Sequence, residues 1–166
     1  MLSLTRKTDY GLVALAGLAR AAPAKLSARE IAEQFGVPLP LLMNILTELA
    51  RHGIVESTRG AKGGYRLARS PEEISLAQLI EALEGPVRLT VCCHGDEVAP
   101  EARMDPAECD LEESCPIKAP VRKVQLILQR FLDEVTLAHI LCDEELVQLA
   151  LSHGIRKEDF LPVGAL

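Results

Sequence analysis

Residues 27–67 read SAREIAEQFGVPLPLLMNILTELARHGIVESTRGAKGGYRL. Ser27-Ala28-Arg29-Glu30 is a capping box, in which the Ser27 hydroxyl accepts the Glu30 N–H and the Glu30 carboxylate reaches back. The helix it starts runs through Ile31, Ala32 and Phe35, and Gly36 supplies the left-handed residue that stops it. Val37-Pro38 turns the chain. The next helix spans about Leu39 to His52, with Leu42, Ile45, Leu46 and Leu49 as its buried stripe. Helix, short Gly-containing turn, helix is the helix-turn-helix pattern. Ile54–Ser57 and Tyr65–Leu67 are short β-type runs around a Gly-rich tip, the outline of a hairpin wing. That tip lacks the G-x-x-x-x-G-K-[ST] order and no helix follows it, which argues against a nucleotide loop.

Outward from this stretch, residues 5–21 form a first helix. Tyr10, Val13, Leu15, Leu18 and Ala19 recur at near-helical spacing, Thr5 or Ser3 caps the start, and Pro23 ends it. The same region has the outline of a signal peptide, but Asp9 and Tyr10 interrupt it and its apolar run is only about nine residues. Downstream, Ser75-Leu76-Ala77-Gln78 is a second capping box, for a helix through Leu79, Ile80 and Leu83 that Glu84-Gly85-Pro86 stops. Pro120 sits in the first turn of a long helix. Val121, Val124, Leu128, Phe131 and Val135 give it a seam that suits a second subunit or its own domain. Thr136 caps a short helix through Leu141. Glu144–Leu151 is a last amphipathic piece, and residues 155–166 are a loose tail. The expected fold is mainly α: a winged helix-turn-helix with a small β-hairpin wing, a cysteine-rich loop and a long dimerisation helix. The expected divisions are residues 1–70 for the DNA-binding region, 71–91 for a connecting helix, 92–117 for the loop, 118–141 for the dimerisation helices and 142–166 for a C-terminal extension.

The net charge of −6 hides an asymmetry. Residues 1–70 carry ten Lys/Arg against five Asp/Glu, and residues 71–166 carry eight against nineteen. A basic helix-turn-helix segment is suited to a polyanion, and double-stranded DNA is its expected partner. With no Trp and only two Tyr and three Phe, stacking platforms for single strands are not expected. Pro38, Pro40, Leu41 and Asn44 lie near the start of the reading helix, where base edges are contacted. Asn44 can pair with an adenine edge, and Leu41 offers only apolar contact. Arg51, Arg59 and Lys62 are suited to phosphates, or Arg59 to a narrow minor groove.

Four of the five cysteines, Cys92, Cys93, Cys109 and Cys115, fall in an acidic stretch rich in Gly and Pro. An odd count without a secreted disulfide framework suits a reducing, cytoplasmic setting. Clustered thiols are suited to soft-metal ligation. The spacing is no zinc C-x2-C knuckle, and the Cys115-Pro116 ending is a feature of some cluster sites. A redox-sensing thiol pair and a loop that binds nothing stand beside that reading. His94 is a possible additional ligand. Cys142, His52, His139 and His153 read as structural. No nucleophile–base pair or acid–base dyad is spaced for catalysis, so neither an enzyme nor a small-molecule substrate is expected. No run is long enough to span a membrane.

Leu4-Thr5-Arg6-Lys7-Thr8-Asp9-Tyr10-Gly11 resembles the opening of the Rrf-type winged-helix regulators, the family of IscR, NsrR and RirA. Arg59–Ala68 resembles that family's wing. Ile74–Ala77, Glu84-Gly85-Pro86, Cys115-Pro116 and Phe131–Ala138 resemble its remaining blocks. The likeness covers about residues 2–141. Within the family, Leu89–Cys92 and Cys109–Pro116 look most like the regulator of SUF-type iron–sulfur assembly. The resemblance implies a homodimeric transcription factor, a repressor of iron–sulfur assembly genes. It implies an iron–sulfur cluster, 2Fe-2S rather than 4Fe-4S, on Cys92, Cys109 and Cys115. Some members take a fourth ligand from a histidine three residues after the last cysteine, where this chain has Lys118. Others use an acidic residue near the partner's N-terminus, where this chain has Asp9. Cys92 and Cys109 are further apart than the family's first two cysteines usually are, and Cys93 is an alternative to Cys92.

Overall fold

A computed structural model describes residues 4–60, 63–90, 114–142, 148–149 and 152–153. Its elements are α1 (Arg6–Ala21), α2 (Ala28–Phe35), α3 (Leu39–Arg51), β1 (Val55–Thr58), β2 (Gly64–Leu67), a 3-10 turn (Pro71–Glu73), α4 (Leu76–Glu84), α5 (Lys118–Glu134) and α6 (Leu137–Leu141). The chain is mainly helical, with one antiparallel hairpin.

Local chemistry sets the helix ends. Thr5 caps α1, its hydroxyl accepting the Lys7 N–H at 3.2 Å. The capping box Ser27/Glu30 opens α2 and Gly36, at φ +67°, closes it in the left-handed region. Pro40 occupies the second position of α3, where an N–H has no partner within the helix. Ser75/Gln78 forms the box of α4, and Thr136/His139 that of α6, with the imidazole Nδ1 taking the role expected of a carboxylate. The structural role read for His139 is thus a specific one. Half-buried Cys142 caps the other end of α6 rather than filling the core.

One apolar core joins these pieces. Leu15 and Leu18 of α1, Ile31 of α2, and Leu42, Ile45, Leu46 and Leu49 of α3 pack with Ile54, Ile74, Leu79, Leu83 and Leu137. Side chains of this kind are each worth roughly 1.5–3 kcal/mol when fully removed from water. The helix α4 therefore belongs to the same core as the helix-turn-helix.

The opening motif and the end of α4 meet in space. Glu84 Oε1 accepts the Thr5 N–H at 2.9 Å, the Thr5 hydroxyl at 2.8 Å and the hydroxyl of fully buried Thr8. Lys7 Nζ donates to the Leu83 carbonyl at 2.6 Å, satisfying one of the last carbonyls of α4. Desolvation raises the Glu84 pKa, but the bonds from Thr8 and Thr5, with the Lys7 charge, outweigh it and hold the carboxyl below its ordinary value.

The expected seam of α5 divides. Leu132 and Val135 are buried in the chain's own core, whereas Val124 is 54% exposed. Ile117 and Ile127, outside the expected seam, are 60% and 69% exposed. Over two heptads a 3-4 seam drifts only about 40° around the helix, so the division runs along the axis: the C-terminal end packs on the core and Val124, further up the same side, is exposed. The outward stripe is Ile117, Val124 and Ile127, running on to half-buried Phe131. His153 meets this helix, its Nε2 2.8 Å from Glu134 Oε2 and its ring edge-on to Phe131 at 5.4 Å between centroids. The expected piece at 144–151 and the tail at 155–166 lie almost wholly outside the described residues.

Candidate nucleic-acid interface

The reading surface begins with the two faces of α3. Leu42, Ile45, Leu46 and Leu49 are buried. Pro40, Met43, Asn44, Thr47 and Arg51 are exposed, at spacings that align them on the opposite side. Pro38 is exposed at the N-cap, and Leu41 is half-buried with its side chain against the core. Of the residues singled out in the sequence, Pro40, Asn44 and Arg51 thus share one open face, and Leu41 is turned from it. Met43, 50% exposed, and Thr47 join that face without having been anticipated. They are three and seven residues after Pro40, so extending the polar face by helical period finds them. The Thr47 hydroxyl donates to the Met43 carbonyl at 2.7 Å. Arg51 leans back to Glu48 at 3.2 Å, but its side chain is 70% exposed, so this ion pair is weak and exchangeable.

The wing pairs Val55 with Leu67, Glu56 with Arg66, Ser57 with Tyr65 and Thr58 with Gly64. Glu56 and Arg66 face each other at 2.7 Å on its exposed side. Lys25 Nζ donates to Thr58 Oγ1 at 2.9 Å. The Tyr65 N–H donates to the Leu26 carbonyl at 2.7 Å and the Leu26 N–H to the Tyr65 carbonyl at 3.0 Å. The residue just ahead of α2 thereby fixes the wing to the helix-turn-helix. At the tip, a Cβ on Gly63 would clash with the Thr58 carbonyl oxygen, so only glycine fits. Arg59 is exposed there, and Lys62 lies outside the described residues.

The expected metal ligands are only partly in view. Asp9 is exposed in the first turn of α1, beside the Thr8–Glu84 contact. Cys115 is half-buried just ahead of α5, and its carbonyl accepts the Lys118 N–H at 3.4 Å. Cys92, Cys93, His94 and Cys109 lie outside the described residues. Among the described residues no three His, Cys, Asp or Glu side chains gather in a way that would hold a metal ion.

Known proteins share this architecture. Residues 4–143 match the family model described as "Rrf2: Iron-dependent Transcriptional regulator". The HTH-type transcriptional regulator NsrR of Bacillus licheniformis is 30% identical over 152 residues, 91% of this chain and 100% of that one. The HTH-type transcriptional regulator IscR of Aliivibrio salmonicida is 29% identical over 150 residues, 90% of this chain and 83% of that one. Among solved structures, CymR, titled the global cysteine regulator of B. subtilis, superposes with a TM-score of 0.61 at 27% identity, covering 85% of this chain and 97% of that one. T. potens IscR gives a TM-score of 0.59 at 30% identity, covering 89% and 91%. These relatives are transcriptional regulators, not enzymes. The chain belongs to the Rrf2 family of DNA-binding transcriptional regulators.

Proposed function

We propose that this protein is a cytoplasmic, homodimeric repressor of iron–sulfur assembly genes whose grip on its operator depends on an iron–sulfur cluster. The observation that carries the reading is one of placement. The cysteine-rich stretch, residues 92–117, is inserted between a winged helix with an open reading face and a helix with an exposed apolar stripe. Pro38, Pro40, Asn44, Arg51, Arg59 and Lys62 contact DNA, joined by Met43 and Thr47. Leu41 contributes by packing the reading helix and meets at most a thymine methyl.

The donor set fits the group. Cys92, Cys109 and Cys115 provide three soft thiolates and Asp9 of the partner subunit a carboxylate, a combination suited to iron–sulfur chemistry, with 2Fe-2S favoured over 4Fe-4S. The bound group would add a redox- and oxygen-sensitive link among these residues. The stripe Ile117, Val124, Ile127 and Phe131 forms the subunit interface, because an apolar row of this length is unfavourable in water. Control requires that the loaded and empty proteins differ in operator affinity.

The test is operator binding by anaerobically purified protein, by the same protein stripped of iron, and by a Cys109→Ala/Cys115→Ala variant. A loaded form that differs from the other two about tenfold or more, with those two alike, supports the reading. Identical binding by all three sinks it. A second reading is a cluster-free thiol switch on the same fold, supported by the likeness to CymR, one of whose solved structures is of an oxidized form. Oxidant-dependent operator binding without bound iron would establish that one instead.

A further inference from the structure

Two attachments of the helix α5 differ in kind. At its C-terminal end the attachment is backbone. The Leu76 N–H donates to the Val135 carbonyl at 2.7 Å and the Leu137 N–H to the Ile74 carbonyl at 2.8 Å, beside buried Leu132 and Val135. The second attachment is one side chain, about 15 Å up the helix from Val135. Gln125 is only 8% exposed. Its Oε1 accepts the Leu89 N–H at 2.9 Å, and its Nε2 donates to the Val87 carbonyl at 2.6 Å.

The amide so grips residues 87 and 89 of the segment after α4 in the way a neighbouring strand would. A buried amide is costly unless both its ends are satisfied, and these two bonds satisfy them. Leu132 is the other buried side chain of α5, so Gln125 is the buried polar anchor of the helix. The gripped segment is itself fastened to the DNA-binding unit, because Glu84 holds Thr8 of α1 and its cap Thr5. Residues 84–89 are thereby tied to the start of α1 at one end and to the middle of α5 at the other.

We infer that Gln125 is a positioning residue for paired operator recognition. It fixes the angle at which α5 leaves the DNA-binding unit and, through the subunit interface, the distance between the two reading helices. The inference rests on the dimer reading above. From Val135 to Lys118 the helix runs about 25 Å, so a small rotation at the backbone attachment becomes a shift of ångströms at the exposed end. Half-sites are read about one helical turn apart, with about 3.4 Å per base pair, so a shift of that size is one base-pair step. The Gln125 clamp thus acts on half-site spacing.

The test uses the full chain and three duplexes: one selected from a random pool by the wild-type protein, the same duplex with one base pair inserted at its centre, and one carrying a single half-site. Gln125→Met keeps length and volume and removes both hydrogen bonds. The wild type should prefer the selected duplex to the inserted one by about tenfold or more, the cost of an ordinary mismatch. The variant should lose that preference, retaining about twofold or less, with single-half-site affinity unchanged. A variant that keeps the full preference overturns the inference, as does one that weakens all three duplexes alike, which is plain destabilisation. Should the variant not fold, Leu89→Pro removes the same N–H from the other side without touching α5, and the same outcomes decide. A wild-type chain that sediments as a monomer overturns the dimer reading and the inference with it. A dimer whose variants keep the preference overturns the inference alone.

Discussion

Glu84, the last residue of α4, accepts a hydrogen bond from the hydroxyl of Thr8, a residue with no solvent exposure in the first turn of α1. The contact closes the DNA-binding unit on itself, since it joins residues 76 positions apart in the chain. Thr8→Val keeps the shape and removes the donor. It should cost about 1.5–3 kcal/mol of unfolding free energy, the usual net value of a hydrogen bond to a charged group, with secondary structure unchanged. Urea denaturation followed by circular dichroism measures it, and a midpoint equal to wild type would show the bond to be idle.

The same carboxylate gives the fold a pH signature. The folded Glu84 pKa lies below the ordinary glutamate value of about 4.5. A depressed acid contributes stability that is fully present above its unfolded pKa and is lost as pH falls through the folded one. Glu84→Gln should therefore melt lower than wild type at neutral pH, and the gap should close as the pH drops below about 4.5. Melting temperatures of both proteins across that window test it, and a gap that widens on acidification contradicts it.

Much of this fold is legible in the sequence, for reasons that differ between elements. The boxes at Ser27/Glu30 and Ser75/Gln78 and the stripe Leu42, Ile45, Leu46 and Leu49 are local signals, and the helices start and face as they indicate. The Thr8–Glu84 bond leaves no local trace, because each partner reads as an ordinary polar residue until the fold joins them. Gln125 escapes notice for a related reason. A polar residue on an amphipathic helix reads as solvent-facing, and only the backbone it grips reveals that it is buried. On α3, Asn44 and Arg51 are polar and lie on the exposed face, as a polar residue of an amphipathic helix should. Met43 needed the helix geometry, and Leu41 shows that proximity to the N-terminus does not fix which way a side chain turns.

At the wing, Gly63→Ala places a methyl against the Thr58 carbonyl. The tip must open, and Arg59 moves with it. Operator affinity should fall on the order of tenfold, or about 1.4 kcal/mol, while the melting temperature stays near that of wild type. Fluorescence anisotropy with a labelled duplex gives the answer, and unchanged affinity would remove the wing from the interface.

Two reading residues should fail differently. Asn44→Ala should cost about 1–3 kcal/mol and relax preference at one base position. Arg59→Ala should weaken all sequences alike and lower the slope of affinity against salt by about one ion. Binding to a panel of single-base operator variants at several salt concentrations separates the two. Interchanged behaviour would mean that the roles are assigned the wrong way round.

On α5, Ile127 is 69% exposed and Val124 is 54% exposed on the outward stripe. Ile127→Glu should leave the helix content intact and convert the proposed dimer to monomer at micromolar concentration, because a charge in an apolar interface finds no partner. Sedimentation velocity reads this directly, and an unaltered dimer places the interface elsewhere.

Iron and acid-labile sulfide analysis of the anaerobically purified protein, taken with its visible spectrum, decides whether the cysteine stretch holds an iron–sulfur cluster. A brown protein with iron and sulfide in equal amounts is expected, both lost when Cys109 and Cys115 are replaced by alanine. A colourless protein with full zinc and no sulfide would contradict it.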